Sequence, residues 1–138
     1  MTKVLLDQIL ARGKLSALVV TSSGLAQLPV PGVTTYCAAK SFASFLAVGL
    51  SYELAGKVEC MTWEASKMAT KLSNAEVGGN VASRPEAVSG MLKHLGSERL
   101  TNGCTRHAWD CAILNALPRS ILYEMFRSKL SKIEAKMR

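Results

Sequence analysis

The sequence predicts an α/β fold: part of a doubly wound parallel sheet, about three strands flanked by helices. Three observations predict it. Helical and strand patterns alternate from end to end. The apolar run Ala17-Leu18-Val19-Val20 stops abruptly in Thr-Ser-Ser-Gly, as a buried parallel strand does at its carboxyl end. The segment after it passes through two prolines into a helix that opens with Tyr36 and Lys40, four positions apart.

The elements follow in order. Val4, Leu5, Ile9 and Leu10 form one helical stripe, and Gly13 is a natural stop. This first helix lacks a preceding capping sequence, so the chain is expected to begin in mid-element. Residues 17–21 are the first strand, whose apolar run fits burial on both faces; with only three strands present it is expected to become an apolar, unguarded edge. "LAQLPVPGVTT" reads as loop. Residues 35–55 read as one long helix rich in small side chains. "KVECMTW" alternates like a strand, with the residue types strands favour. Residues 66–82 show no period, and Gly78-Gly79 marks a loop. Ser83 and Glu86 have capping-box spacing, with Pro85 in the first turn, so a helix runs to Gly96. "LTNGCTRHA" holds a short strand and a turn at Asn102-Gly103. From His107 to Arg138 the pattern is helical, amphipathic and basic, broken at Pro118. The organisation is one domain over 1–138, with 107–138 as its helical extension.

Composition excludes several classes. Half the residues are apolar, which argues against disorder. No apolar run approaches the roughly 20 residues of a membrane span. Cys37, Cys60, Cys104 and Cys111 form no C-x-x-C pair and do not group with His94 and His107 at metal-ligand spacing, so buried free thiols are expected and no metal. The net charge is +7, and the last twelve residues carry five cations against one glutamate. That tail reads as a solvated helix; a membrane surface is the next partner it suits, and nucleic acid is not expected, since no basic run is interleaved with aromatics.

The chemistry lies at residues 21–40. On a helix Tyr36 and Lys40 share a face. A phenol has a pKa of about 10, and a nearby ammonium favours the phenolate, moving proton exchange toward the working pH. A hydroxyl such as Ser23, at a strand's carboxyl end where open α/β sheets gather ligands, can hold a substrate oxygen beside the phenol. Alone, Tyr-x-x-x-Lys is an ordinary solvated pair; the strand, Thr-Ser-Ser-Gly and loop before it give it weight.

Those residues, "ALVVTSSGLAQLPVPGVTTYCAAKSFASFLAVGLSYEL", resemble the catalytic segment of the short-chain dehydrogenases/reductases: a serine and, thirteen positions on, Tyr-x-x-x-Lys. The spacing selects Ser23 over Ser22. Downstream, "MATKLS", "SRPEAVSGMLKHLG" and "TNGCTRHAWDCAILNALP" are similar to the very-long-chain 3-oxoacyl-CoA reductase and 17β-hydroxysteroid dehydrogenase subgroup. The resemblance implies a Rossmann-like domain of which this chain is the C-terminal half. It implies reduction of a ketone, such as a 3-oxoacyl-CoA or a 17-ketosteroid, by NADP or NAD. Ser23, Tyr36 and Lys40 would be catalytic, with Tyr36, Lys40 and Thr70 touching the cofactor. It further implies a place in lipid metabolism at the endoplasmic reticulum membrane, or in the cytoplasm if the family's N-terminal anchor is truly absent. A homodimer through the 35–55 helix would be its assembly.

The chain departs from the family pattern in three ways. No glycine-rich strand–helix turn precedes Ser23. The family's catalytic asparagine would fall before residue 1. Ala65 stands where the family usually has proline, five residues before Thr70. An inactive remnant or interaction module keeping the Ser/Tyr/Lys pattern is the alternative, and negligible turnover by the 138 residues alone is expected. His107, Trp63 and Trp109 read as structural, and Met61, Met68, Met91 and Met125 as core or pocket lining.

Overall fold

A computed structural model describes the backbone of residues 2–137 and the side chains of residues 2–131. The elements are α1 (Thr2–Ala11), β1 (Ala17–Thr21), a 3-10 turn (Gly24–Gln27), α2 (Thr34–Glu53), β2 (Glu59–Trp63), α3 (Arg84–Lys93), β3 (Leu100–Thr101), α4 (Thr105–Ala116) and α5 (Arg119–Met137). The three strands are parallel in the order β1-β2-β3. Ala17 pairs with Glu59 and Thr21 with Trp63; Thr62 pairs with Leu100. The expected α/β architecture with about three strands is the one observed.

Position in the sheet decides burial. β2 is central, and Cys60 to Trp63 are buried. β1 is the outer strand and only half-buried, not covered on both faces as its apolar run suggests. Its cover from α1 is slight. Leu6 and Ile9 pack against Leu54, Val58 and Cys60, while Val4, Leu5 and Leu10 of the expected stripe face solvent. The stripe is displaced because α1 touches the sheet only at its margin.

The main core lies under β2: Met61, Trp63, Ala65, Ala82, Ala87, Met91 and Cys104. α3 carries the expected capping box, with the Ser83 hydroxyl accepting from Glu86 N and the Glu86 carboxylate accepting from Ser83 N. A second cluster of Leu28, Val30, Cys37 and Leu122 ties the proline-bearing loop and α2 to α5. On α2, Ser44 and Ala47 face the sheet, whereas Ala38 and Ala39 are exposed. Trp63 packs as expected, but Trp109 is 66% exposed, so it is no core group. α4 begins at Thr105, two residues before the expected start, because Gly103 at φ 84° turns the chain early. All four cysteines are buried free thiols. The solvated-tail expectation for residues 127–138 falls largely outside the described side chains; of those described, Arg127 is exposed and Lys129 borders a cavity.

Candidate active site

The carboxyl end of β1 is pinned to the strand beside it and to the chain just beyond that strand. Ser22 N donates to Trp63 O at 2.8 Å and Gly24 N to Ala65 O at 3.0 Å. The two serines between Thr21 and Gly24 point to different tasks. Ser22 turns inward and donates to the Lys40 carbonyl at 2.8 Å. Ser23, in extended conformation, caps the 3-10 turn by accepting from Leu25 N at 3.2 Å. Its own hydroxyl proton meets no acceptor among the described residues. Gly24 allows close packing here, since a Cβ would come within 2.5 Å of Cys111 Sγ.

α2 starts at Thr34 without a side-chain cap, so its first turns present Tyr36 and Lys40 toward the same strand end. Lys40 Nζ donates to Thr21 O at 3.1 Å and stands 5.8 Å from the centre of the Tyr36 ring. That separation is at the outer limit for a cation over a ring face. Tyr36 is 47% exposed.

Ser23, Tyr36 and Lys40 line one cavity of about 610 Å³. Its far wall was not foreseen from the sequence as a wall. Ile113 and Leu114 of α4, Leu117, and Met125 and Phe126 of α5 form an apolar side. Of the four methionines named above, Met68 and Met125 line this cavity, while Met61 and Met91 are core. Lys67 and Lys129 add positive charge at its border.

Arg106, His107 and Asp110 of α4 hold the irregular segment between β2 and α3. Asp110 accepts from the Ser66 hydroxyl and from Asn80 Nδ2, the latter at 3.0 Å. Arg106 donates to the Gly79 carbonyl and pairs with Glu86 at 3.0 Å. His107 is fully buried, with Nε2 donating to Lys67 O at 3.0 Å, which fits the structural reading. Its Nδ1 has no partner among the described residues. The signal available in the sequence was the spacing of Arg106, His107 and Asp110, which share one helical face.

Thr70 stands apart from this set. It is not among the cavity-lining residues, and its hydroxyl and amide engage Ser73 in a local turn. Glu64, unremarked in the sequence, is 2% exposed just past β2, where Ser44 Oγ and Gln27 Nε2 lie within hydrogen-bond distance of its carboxyl oxygens, at 2.9 and 3.0 Å. Burial, with smaller help from neighbouring carboxylates, pushes the Cys111 thiol up to about 11; burial, then Glu59, raises Cys60. No group of three or more potential ligands suited to a metal occurs among the described residues. No described helix is long and apolar enough to cross a membrane.

No protein-family model matches the sequence. Two curated relatives do: the very-long-chain 3-oxoacyl-CoA reductase of Anas platyrhynchos, 28% identical over 99% of this chain, and that of Homo sapiens, 33% identical over 86% of it. The chain spans 44% and 38% of their lengths. Among solved structures, a 7beta-hydroxysteroid dehydrogenase superposes with a TM-score of 0.72 at 18% identity, covering 90% of this chain and 52% of that one. A bulky-bulky ketone specific alcohol dehydrogenase from Comamonas testosteroni superposes at 0.60 with 20% identity, over 86% and 49%.

Proposed function

We propose that this chain, similar in sequence to two very-long-chain 3-oxoacyl-CoA reductases and in fold to a 7beta-hydroxysteroid dehydrogenase, carries the catalytic half-site of a nicotinamide-dependent ketone reductase of the short-chain dehydrogenase/reductase type. The observation that supports this most is the meeting of Ser23, Tyr36 and Lys40 on one cavity with an apolar far wall.

The roles follow from the chemistry of the three groups. The Ser23 hydroxyl, already accepting from Leu25 N, donates to the substrate carbonyl oxygen and fixes its position. The Tyr36 phenol gives its proton to that oxygen as negative charge develops. The Lys40 ammonium, anchored on Thr21 O, stabilises the phenolate left behind. Bound reduced nicotinamide supplies the hydride. Lys40, Tyr36 and, after rearrangement of its Ser73 contacts, Thr70 would face its nicotinamide-ribose end. The described residues provide no glycine-rich turn for the pyrophosphate, so only that end of the cofactor fits this chain.

The substrate is a carbonyl compound with a long apolar part, a 3-oxoacyl thioester or a 17-ketosteroid, lying against Leu114, Leu117 and Phe126. NADP or NAD serves as the hydride carrier in this reading. Lipid metabolism and an endoplasmic reticulum setting follow from kinship with the named relatives. The exposed row Phe42, Phe45 and Tyr52 on α2 supports a homodimer through that helix. The alternative is a non-catalytic remnant or interaction module that keeps the Ser/Tyr/Lys pattern.

The test is reduction of a 3-oxoacyl thioester and of a 17-ketosteroid by reduced NADP, by the chain as given and within a full-length context. Turnover in the full-length context that falls at least about 100-fold in Tyr36→Phe supports the catalytic reading. Full activity in that variant removes it.

A further inference from the structure

The polar chain behind the cavity floor has a proton to account for. Four oxygens lie in sequence: Glu64 Oε1, Ser44 Oγ, Ser22 Oγ and the Lys40 carbonyl. The links measure 2.9, 2.8 and 2.8 Å. Each is a hydrogen bond in length, and each therefore needs one proton between its oxygens. A serine hydroxyl has one proton to donate, and a carbonyl has none. The two serines supply two protons for three links. An ionised Glu64 would leave one pair of oxygens facing each other with lone pairs only. In a buried site that arrangement carries the full cost of an unsatisfied polar group.

We infer that Glu64 is held as the neutral acid, its proton on Oε1 directed at Ser44, and that it is a positioning residue for the Ser23/Tyr36/Lys40 set. With that proton in place the chain runs one way: Glu64 to Ser44, Ser44 to Ser22, Ser22 to the Lys40 carbonyl. The other carboxyl oxygen, Oε2, then serves as the acceptor that Gln27 Nε2 meets at 3.0 Å. Every member is satisfied. The surroundings agree. Glu64 is 2% exposed, and no Lys, Arg or His forms an ion pair with it among the described residues.

The chain ends at two points of the proposed catalytic set. The Lys40 carbonyl lies one turn beyond Tyr36, and Ser22 adjoins Ser23. Glu64 thus links the end of β2 to the end of β1 and to the first turns of α2. The proton on this buried acid sets the direction of the whole chain.

Glutamine has the same shape, with an N–H where the acid has its O–H and an oxygen where Gln27 donates. The experiment compares wild type with Glu64→Gln, Glu64→Leu and Ser44→Ala. Infrared spectroscopy at neutral pH is expected to show the carbonyl stretch of a protonated carboxylic acid in wild type and not in Glu64→Gln. Glu64→Gln is expected to keep the wild-type melting midpoint, while Glu64→Leu and Ser44→Ala lower it. No such band in wild type, or a Glu64→Gln chain as damaged as Glu64→Leu, overturns the inference. The positioning role rests on the proposed reductase reading. In an active full-length context, Glu64→Gln should retain kcat and Glu64→Leu should lose it at least about tenfold. Should no context show reductase activity, that reading fails alone, because the infrared band and the melting series decide the proton without turnover.

Discussion

Replacing Gly103 by alanine should destabilise the chain by about 2–5 kcal/mol. Gly103 sits at φ 84°, a left-handed conformation that costs a residue with a Cβ about 1–2 kcal/mol. The new Cβ would stand 2.8 Å from Trp63 Nε1 and 3.2 Å from the Ala87 carbonyl oxygen. The indole must then move, and it is buried in the main core, where Nε1 donates to Asn102 O at 3.3 Å. Losing a buried hydrogen bond costs about 1–3 kcal/mol. Against a typical domain stability of about 5–15 kcal/mol the sum is large. The turn also launches α4, which forms one cavity wall and grips the segment between β2 and α3. Urea unfolding followed by tryptophan fluorescence reads the effect directly. The chain has two tryptophans, so a Trp109→Phe background leaves Trp63 as the only reporter, and Trp109 is exposed enough to replace. An unchanged urea midpoint with an unchanged slope would refute the argument from steric contact and turn geometry.

Leu122→Ala should cost about 2–5 kcal/mol, because Leu122 is fully buried against Leu28, Val30 and Cys37 and anchors α5; thermal melting checks it. Tyr36→Phe should leave the melting midpoint within error, since the ring is half exposed and its hydroxyl has no hydrogen-bond partner among the described residues; calorimetry decides. The Cys111 thiol is pushed up from 9.0 to about 11, first by burial. The unfolded thiol therefore loses its proton near pH 9 while the folded one keeps it, so stability should fall as pH climbs from about 9 toward about 11, and Cys111→Ala should flatten that part of the curve. All four cysteines should resist iodoacetamide in the folded chain and react on unfolding, because each is buried; mass spectrometry counts the adducts.

The fold and the site were legible to different depths. Alternating patterns located every strand, since β-branched runs and turn residues are local signals: Ala17–Thr21, Glu59–Trp63 and the short Leu100–Thr101 all fall where the pattern put them. Ser83 and Glu86 announced α3 by a capping box that acts within one turn. The degree of burial was not local. The apolar run Leu18 to Val20 fits a fully covered strand, and only the count of strands pointed to the outer position it takes. Trp109 read as a packing group, and only the packing of α4 shows it facing solvent. At the site, Ser23, Tyr36 and Lys40 could be picked out from the strand and loop that precede them and from the resemblance to the family's catalytic segment. Glu64 could not, because its meaning comes from Ser22, Ser44 and Gln27, which reach it across 20 to 42 residues of chain or from another element. Asp110 was hidden for the same reason: its partners are Ser66 and Asn80, in a segment with no period.

The outer position of β1 has a consequence for handling and for assembly. One side of Ala17 to Thr21 is bonded to β2, and on the other the amides and carbonyls of the same residues meet no strand among those described. Such a margin accepts any extended peptide laid alongside it, whether a neighbouring copy or a flanking segment. The side chains there are alanine, leucine, valine and threonine, with no charge to discourage the union. Solutions of the bare polypeptide should therefore thicken into β-rich aggregates, and a short extended peptide supplied in trans should keep them clear.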